Sequence, residues 1–281
     1  SIGEAAGTIT LESELVIEND PGRLTNTALL QLLAADTITI QAPIRNEDES
    51  LTLALVFVAN DNFLMVDLPE LRGIAYGQEE AGEQNSKENP NFQLGDLVIQ
   101  ENIETGATGG PMIFAGVNLV VEDGAALDSN GGDIVLVGFN PVTDAEQAEP
   151  PGAISIAGSI ETRGGEASLR SNGTIDLSGG HLNTEGGAAR FYTPTLNILA
   201  PVDTGGGSLS SLESTQITVS SNVQTHGGPL SFSTAGGDID LQAALITEGG
   251  TVSLNSSVTE DSEGTSVGGS ITLSGPGTLI D

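Results

Sequence analysis

The sequence lacks cysteine and tryptophan altogether, and Lys87 is its only lysine. The lack of cysteine excludes disulfide bonds, thiolate metal sites and thiol nucleophiles. Aromatic residues make up 3% of the 281 residues, so a buried core must consist mainly of Val, Ile, Leu and Ala. No apolar run reaches the roughly 18 residues of a membrane-spanning helix, and none is predicted.

Basic residues are also scarce, because 7 Lys and Arg residues stand against 39 Asp and Glu residues and give a formal net charge of −32. Affinity for nucleic acid depends on Lys and Arg displacing counterions from phosphates, so we predict no nucleic-acid binding and no membrane insertion. The acidity has two interpretations, which are solubility in salt-rich or divalent-rich water and a role in binding cations.

A short repeat dominates the second half of the chain. The motif Thr-x-Gly-Gly occurs five times, and an aliphatic residue precedes each threonine by two positions. The motifs recur with a period of about 20–22 residues, which is typical of stacked structural repeats. They begin at Thr162, Thr184, Thr204, Thr225 and Thr247.

Each repeat contains three short stretches in which apolar residues alternate with polar ones. The first stretch follows the glycine pair, as in Ile134 and Leu136. The second stretch comes after the first, as in Ile175 and Leu177, and the third ends at the next threonine. Alternation with period two, interrupted by Gly, Asn, Ser or Asp within about seven residues, favours strands over helices. We therefore predict an all-β parallel β-helix in which each rung of about 20–22 residues has three short strands.

The glycine pairs and their threonines are assigned to one corner of this coil. Glycine reaches positive φ without steric cost, so each pair is predicted to form a sharp turn. The threonines share the strand parity of the buried aliphatic residues, and we predict a ladder of hydroxyl groups at the corner.

The stretch before residue 130 keeps the same pattern less regularly, with Ser129 in place of the threonine. We predict a single β-helix over 1–281, with less regular rungs in 1–130 and regular rungs in 131–281. The placement of 45–95 on the rungs stays open. Because the chain begins at Ser1 without Met and ends within a repeat, we expect a mature product or a piece of a longer protein.

Three insertions interrupt the period, at 77–94, 140–151 and 259–268, and all fall between the first and second strands of their rungs. They are therefore predicted to project from one edge, where insertions of repeat proteins often form binding surfaces. Each is acidic, and Ca²⁺ takes six to eight oxygen ligands in flexible geometry. Solvated loops are the alternative interpretation. The candidate metal ligands are Asp144, Glu146, Glu149, Glu260, Asp261 and Glu263.

No catalytic constellation is predicted. The outward position of the second strand carries Asp176 and Asp240, but these lie three rungs apart, roughly 14 Å, too far for a pair of glycosidase carboxylates. Salt bridges to nearby glutamates explain Arg170 and Arg190. His181 and His226 are interpreted as exposed turn and corner residues without zinc-ligand spacing. We therefore expect no enzymatic activity and no cofactor other than Ca²⁺.

Two phrases carry a resemblance to a family, residues 35–44 (ADTITIQAPI) and 236–247 (GGDIDLQAALIT). They resemble the repeats of large filamentous-haemagglutinin-type exoproteins, most clearly over 131–281. The resemblance implies a right-handed parallel β-helix that is secreted or displayed on a bacterial surface as a fibre or adhesin. Residues 89–92 (NPNF) are similar to a short motif in the secretion domain of that family.

Three functional hypotheses follow. The first is an extracellular structural or adhesive β-helix, a segment or subunit of a bacterial surface fibre whose end rungs stack head-to-tail on further copies or continue into a longer parent chain. The second is a calcium-binding or glycan-binding surface module that uses the acidic insertion edge. The third, and weakest, is a polysaccharide-cleaving enzyme that depends on Asp176 or Asp240.

Overall fold

A computed structural model describes residues 7–18, 26–59, 95–140, 150–260 and 266–274. In these residues the chain coils through three sheets, and each rung contributes one strand to each sheet. The predicted β-helix with three strands per rung is therefore confirmed. We name the sheets by the order of strands within the repeat: the first sheet follows the glycine pairs, and the third sheet precedes them.

The first sheet has ten strands in the described residues, numbered in chain order. They are β3 (Thr27–Ala34), β6 (Thr52–Ala59), β9 (Met112–Gly116), β12 (Ile134–Gly138), β15 (Ala167–Ser171), β18 (Ala189–Tyr192), β21 (Leu209–Leu212), β24 (Leu230–Ala235), β27 (Val252–Glu260) and β28 (Ser266–Gly268).

The second sheet also has ten strands in the described residues. They are β1 (Ile9–Leu11), β4 (Ile38–Ile40), β7 (Leu97–Ile99), β10 (Asn118–Val121), β13 (Ala153–Ile156), β16 (Thr174–Leu177), β19 (Thr195–Ile198), β22 (Gln216–Val219), β25 (Ile239–Leu241) and β29 (Ile271–Leu273).

The third sheet has nine strands in the described residues. They are β2 (Leu15–Ile17), β5 (Ile44–Asn46), β8 (Ile103–Glu104), β11 (Ala126–Asp128), β14 (Ser159–Glu161), β17 (Leu182–Asn183), β20 (Val202–Asp203), β23 (Val223–Gln224) and β26 (Leu245–Ile246).

Apart from β28, the described strands pair in parallel with the same strand of the next rung. Ile154, Ile175, Leu196 and Ile217, for example, are successive register partners, as the sequence repeat predicts. The structure also places part of the region 45–95, which the sequence left open. Ile44–Asn46 forms a strand of the third sheet, and Thr52–Ala59 forms a strand of the first. Residues 60–94 lie outside the described residues.

The interior is filled by vertical columns of apolar side chains, most of them aliphatic. Phe57 and Phe114 occupy one column and stack with ring centroids 4.8 Å apart, which is the spacing of adjacent rungs. Burying one large aliphatic or aromatic side chain contributes about 1.5–3 kcal/mol relative to leaving it exposed. Each rung therefore depends on its neighbours, because the columns form only when rungs stack.

The corner between the third and first sheets, here the glycine corner, has the same hydrogen bond in every described copy. Each of the five threonines is fully buried. Its Oγ1 donates to the carbonyl of the second glycine of its own motif at 2.5–2.9 Å. Ser129 makes the same bond to Gly132. The hydroxyl groups occupy the same buried corner position in successive rungs, as the predicted ladder requires, and each closes the turn of its own rung. Those of Thr162 and Thr184 also lie 3.4 and 3.3 Å from the carbonyl oxygen of the threonine in the next rung.

The two glycines have different roles in this corner. Positive φ falls on the variable residue, as at Glu185 (φ 48), and on the first glycine, as at Gly186 (φ 115). The second glycine needs no positive φ, but a Cβ at Gly187 would lie 1.8 Å from the carbonyl oxygen of Gly165 in the preceding rung. The prediction that glycine is needed for positive φ is therefore confirmed for the first glycine of each pair. The second glycine is required instead because the neighbouring rung leaves no room for a side chain.

Candidate functional site

The corner between the first and second sheets, here the insertion corner, differs from rung to rung. Only Val117 separates β9 from β10, whereas Thr193 and Pro194 separate β18 from β19. The three insertions connect β6 to β7, β12 to β13 and β27 to β29, all across this corner. The order of the strands therefore agrees with the predicted shared edge.

The predicted calcium ligands themselves are not described. Residues 77–94 and 141–149 lie outside the described residues, as do 261–265, and only the backbone of Glu260 is placed, at the end of β27. The calcium site therefore stays a prediction. The residues concerned are Asp144, Glu146 and Glu149 in one segment, and Glu260, Asp261 and Glu263 in the other.

Side chains of the next rung hold together the two ends of the central insertion. The Oδ1 atom of Asn172 accepts hydrogen bonds from the amides of Asn140 (3.1 Å) and Gly152 (2.8 Å). Its Nδ2 donates to the carbonyl of Asn140 at 2.7 Å. Asn140 in turn donates from Nδ2 to the carbonyl of Pro150 at 2.7 Å. This asparagine clamp fixes where the chain leaves the coil and where it returns.

The third insertion contains a pairing that the sequence interpretation missed. β27 continues beyond the end of β24, and Val258, Thr259 and Glu260 pair with β28 in antiparallel register. This is the one antiparallel pairing among the described strands. Val-Thr and Ser-Val pairs on either side of a polar, glycine-containing segment are the hairpin signal that could have indicated it.

The outward row of the second sheet is placed as predicted. Asp176 pairs with Ser155 and Asn197, and Asp240 follows three rungs later. Asp240 accepts hydrogen bonds from Gln242 at 2.7 Å and from Ser274 at 3.0 Å. The two carboxylates therefore lie three rungs apart, the separation that the sequence period predicted.

Cationic side chains connect neighbouring rungs. Arg190 pairs with Glu166 at 3.0 Å, as predicted, whereas Arg170 lies over the ring of Tyr192, 4.1 Å from its centroid. Arg163 bonds to Asp128 at 2.6 Å, and His181 Nε2 lies 3.3 Å from Glu161. Arg45 bonds to Glu14. Exposed pairs of this kind each stabilise a protein by about 0–1 kcal/mol. They therefore make only a small contribution to the stability of the stacked rungs.

His226 is an exposed corner residue, as predicted, but it also contacts two acids. Its Nδ1 lies 3.0 Å from Glu248 Oε2, and its Nε2 lies 3.3 Å from Asp203 Oδ2. The hydrogen bond to Glu248 and the charge of Asp203 raise the pKa of His226 above its ordinary value of 6.5. Near the last described strand, hydrogen bonds from Ser270 to Asp238 lower the pKa of that carboxyl group.

An apolar band on the outside of the first sheet was not predicted. Five side chains that point away from the interior of the coil form a second cluster and are almost fully buried: Val56, Val58, Ile113, Ala115 and Val137. A shallow apolar groove of about 450 Å³ opens beside them, bounded by Thr27, Leu29, Ala54 and Pro111. The signal was the uninterrupted apolar run of Leu53 to Ala59, which alternation alone does not produce.

No group of three or more His, Asp or Glu side chains in the described parts of the chain is arranged to hold a metal ion. Within those parts, no helix is long and apolar enough to cross a membrane. Comparison with models of protein families, with curated proteins and with solved structures found no match. The parallel β-helix is therefore the confirmed part of the resemblance, and membership of the filamentous-haemagglutinin type stays a prediction.

Proposed function

We propose that the protein is an extracellular structural or adhesive β-helix, a segment or subunit of a bacterial surface fibre. Support comes from the architecture, in which the same three-stranded rung is repeated along the described residues. The phrases that resemble filamentous-haemagglutinin repeats favour the same function. The high acidity suits a protein that must stay dispersed in salt-rich surroundings.

The observation that carries this proposal lies at the last described rung. Ile239 and Leu241 of β25 are fully buried, whereas their register partners Ile271 and Leu273 of β29 are 43% and 57% exposed. Core positions thus become surface positions where the stack of described strands stops. A further rung would bury them, and it would also pair the edge of β29 that no described strand pairs. In this proposal, such a rung comes from a second copy stacked head-to-tail or from a longer parent chain.

The test is self-association as a function of ionic strength. The net charge of −32 opposes contact between copies, and salt at about 0.5 M shortens the screening length to a few ångströms. We expect sedimentation velocity and electron microscopy to show end-to-end oligomers that grow with protein and salt concentration. Leu273→Glu should reduce their formation. Leu212→Glu is the matched control, because Leu212 is 41% exposed but lies in the middle of the stack.

Two results would contradict end-to-end stacking. One is a monodisperse monomer at every salt and protein concentration. The other is oligomers that Leu212→Glu weakens as much as Leu273→Glu, since that would place the contact on a side of the coil instead of its end.

A second candidate function is the binding of calcium or a surface glycan at the insertion corner. It is supported by the three acidic insertions that leave at this corner and by the asparagine clamp beneath one of them. Ca²⁺ should then raise the melting temperature, and the triple variant Asp144→Asn, Glu146→Gln, Glu149→Gln should lose most of that increase.

A control removes the same charge elsewhere. Neutralising Glu104, Glu161 and Glu185, which lie on the third sheet and at the glycine corner, should leave the calcium response unchanged. The absence of any response to Ca²⁺, or an equal loss in both triple variants, would remove the calcium hypothesis. Binding to a panel of acidic and neutral glycans, measured for the same two variants, tests the glycan hypothesis separately.

A further inference from the structure

The glycine corner brings together one histidine and two acids from three successive rungs. Asp203 ends β20, His226 is the variable residue of the next corner motif, and Glu248 is the variable residue of the motif after that. The two ring nitrogens of His226 point in opposite directions along the stack, one at 3.0 Å from Glu248 and the other at 3.3 Å from Asp203.

The backbone around His226 fixes this arrangement. His226 has φ 47, and the preceding Thr225 is fully buried with its hydroxyl bonded to Gly228 at 2.6 Å. The amide of Gly227 bonds to the carbonyl of Thr247 at 2.5 Å, which joins this corner to the next rung. The imidazole therefore leaves a rigid corner, and its reach to either acid does not depend on loop motion.

The protonation state decides what the imidazole contributes. A neutral ring donates from one nitrogen only, so its other nitrogen presents a lone pair to a carboxylate. The imidazolium donates from both nitrogens and places a positive charge between two negative ones. Its charged neighbours in the described residues are Asp203 from β20 and Glu248 after β26, while its own strand contributes the uncharged Gln224. Glu185, at the same corner position, is separated from it by the motif of Gly205.

We propose that Asp203, His226 and Glu248 form a pH-sensitive clamp that ties three successive rungs together when His226 is protonated. The idea is independent of the fibre hypothesis, because it concerns the strength of the stack within one chain.

The direction of the pH effect follows from the chemistry of the ring. Both acids favour the charged imidazole, so the pKa of His226 is higher in the folded protein than in the unfolded chain. The stabilisation is therefore complete below the unfolded value of about 6.5 and is lost as the pH rises through the higher folded value. Mildly acidic pH therefore strengthens the contacts between these three rungs, and alkaline pH weakens them.

The chain is well suited to a direct test, because it contains only two histidines. The ring protons of His226 can be followed by NMR as the pH changes, with His181→Gln used to assign the signals. We expect a midpoint above 6.5 that falls in Glu248→Gln and in Asp203→Asn. Glu185→Gln is the matched control, since it removes the same charge at the same corner position without touching the clamp.

Hydrogen exchange tests whether protonation strengthens the stack. The amides of Thr204 and Gly227 bond across the two junctions of the clamp, and the amide of Gly186 bonds across the junction before them. After correction for intrinsic rates, the first two should gain protection relative to Gly186 by about two- to five-fold between about pH 8 and pH 5.5. The gain should vanish in His226→Gln and persist in Glu185→Gln.

Each readout can overturn the proposal. A midpoint that Glu248→Gln and Asp203→Asn leave unchanged would show that the contacts are not made in solution. A relative protection that does not change with pH, or that changes equally in His226→Gln, would show that the contacts form but do not hold the rungs together.

Discussion

The glycine corner is the same in six consecutive motifs, whereas the insertion corner ranges from a single residue to a long segment. At the glycine corner, every motif from Ser129 to Thr247 has a hydroxyl bond to its second glycine and two residues with positive φ. At the insertion corner, the described connections use Val117 alone in one rung and Thr193 with Pro194 in another. One corner of the coil is thus fixed, and the other accepts changes in length.

The difference lies in how regularly close contact between rungs recurs at each corner. At the glycine corner the second glycine lies against the carbonyl oxygen of the glycine beneath it, and this contact leaves no room for a Cβ. An inserted residue would break the contact in its own rung and in both neighbours. At the insertion corner such close contacts occur in some rungs, as where a Cβ at Gly237 would lie 1.3 Å from the carbonyl oxygen of Thr215, whereas in another rung the side chain of Asn172 makes the contacts. Stability and register are therefore set at one edge, and new surface is added at the other.

The largest effect is expected when the close contact itself is broken. Gly187→Ala places a Cβ where the carbonyl oxygen of Gly165 now lies, 1.8 Å away, so the two rungs must separate. We expect a loss of roughly 3 kcal/mol in the free energy of unfolding, at the upper end of the range for overpacking. Denaturation in urea, followed by circular dichroism, measures it.

The neighbouring glycine provides the control for that substitution. A Cβ at Gly186 meets nothing nearer than 4.0 Å, so Gly186→Ala adds only the backbone strain of φ 115, about 1–2 kcal/mol. If Gly186→Ala destabilises the protein as much as Gly187→Ala, close contact between rungs is not what requires glycine at the second position of the pair.

A smaller effect is expected from the corner hydroxyl. Thr204→Val keeps the shape of the side chain but removes the donor that lies 2.6 Å from the carbonyl of Gly207. A buried carbonyl left without a partner costs about 1–3 kcal/mol, and we expect about 2 kcal/mol in urea denaturation. Thr204→Ser should recover most of the stability, because Ser129 makes the same bond naturally. Failure of that rescue would mean that the threonine methyl group matters more than the hydroxyl.

The two corners also differ in how much the sequence could predict. The motif and its regular period were enough to place the strands, since every repeat of the pattern lies in the same register. The bond from Thr162 to Gly165 was not predicted, because alternation reports which side a residue points to and not which carbonyl is near.

Side-chain contacts between neighbouring rungs were beyond the sequence interpretation for a related reason. Asn172 lies 32 positions from Asn140, and His226 lies 22 to 23 positions from its two acids. The residue types at these positions carry no periodic signal. Such contacts become visible only when the register of the coil brings the side chains into one column.

The smallest effect is expected at the insertion corner, where the fold is least constrained. Asn172→Ala removes one acceptor of two amide bonds and one donor, but water can reach part of this corner and replace them. We expect a loss of only about 1 kcal/mol in stability, together with a clear loss of hydrogen-exchange protection at the amides of Asn140 and Gly152. Asn197→Ala, on the outward row of the second sheet, should change neither amide. An equally large loss of protection at the amide of Thr184 in the glycine corner would contradict the comparison, because the two corners would then be coupled instead of serving separate roles.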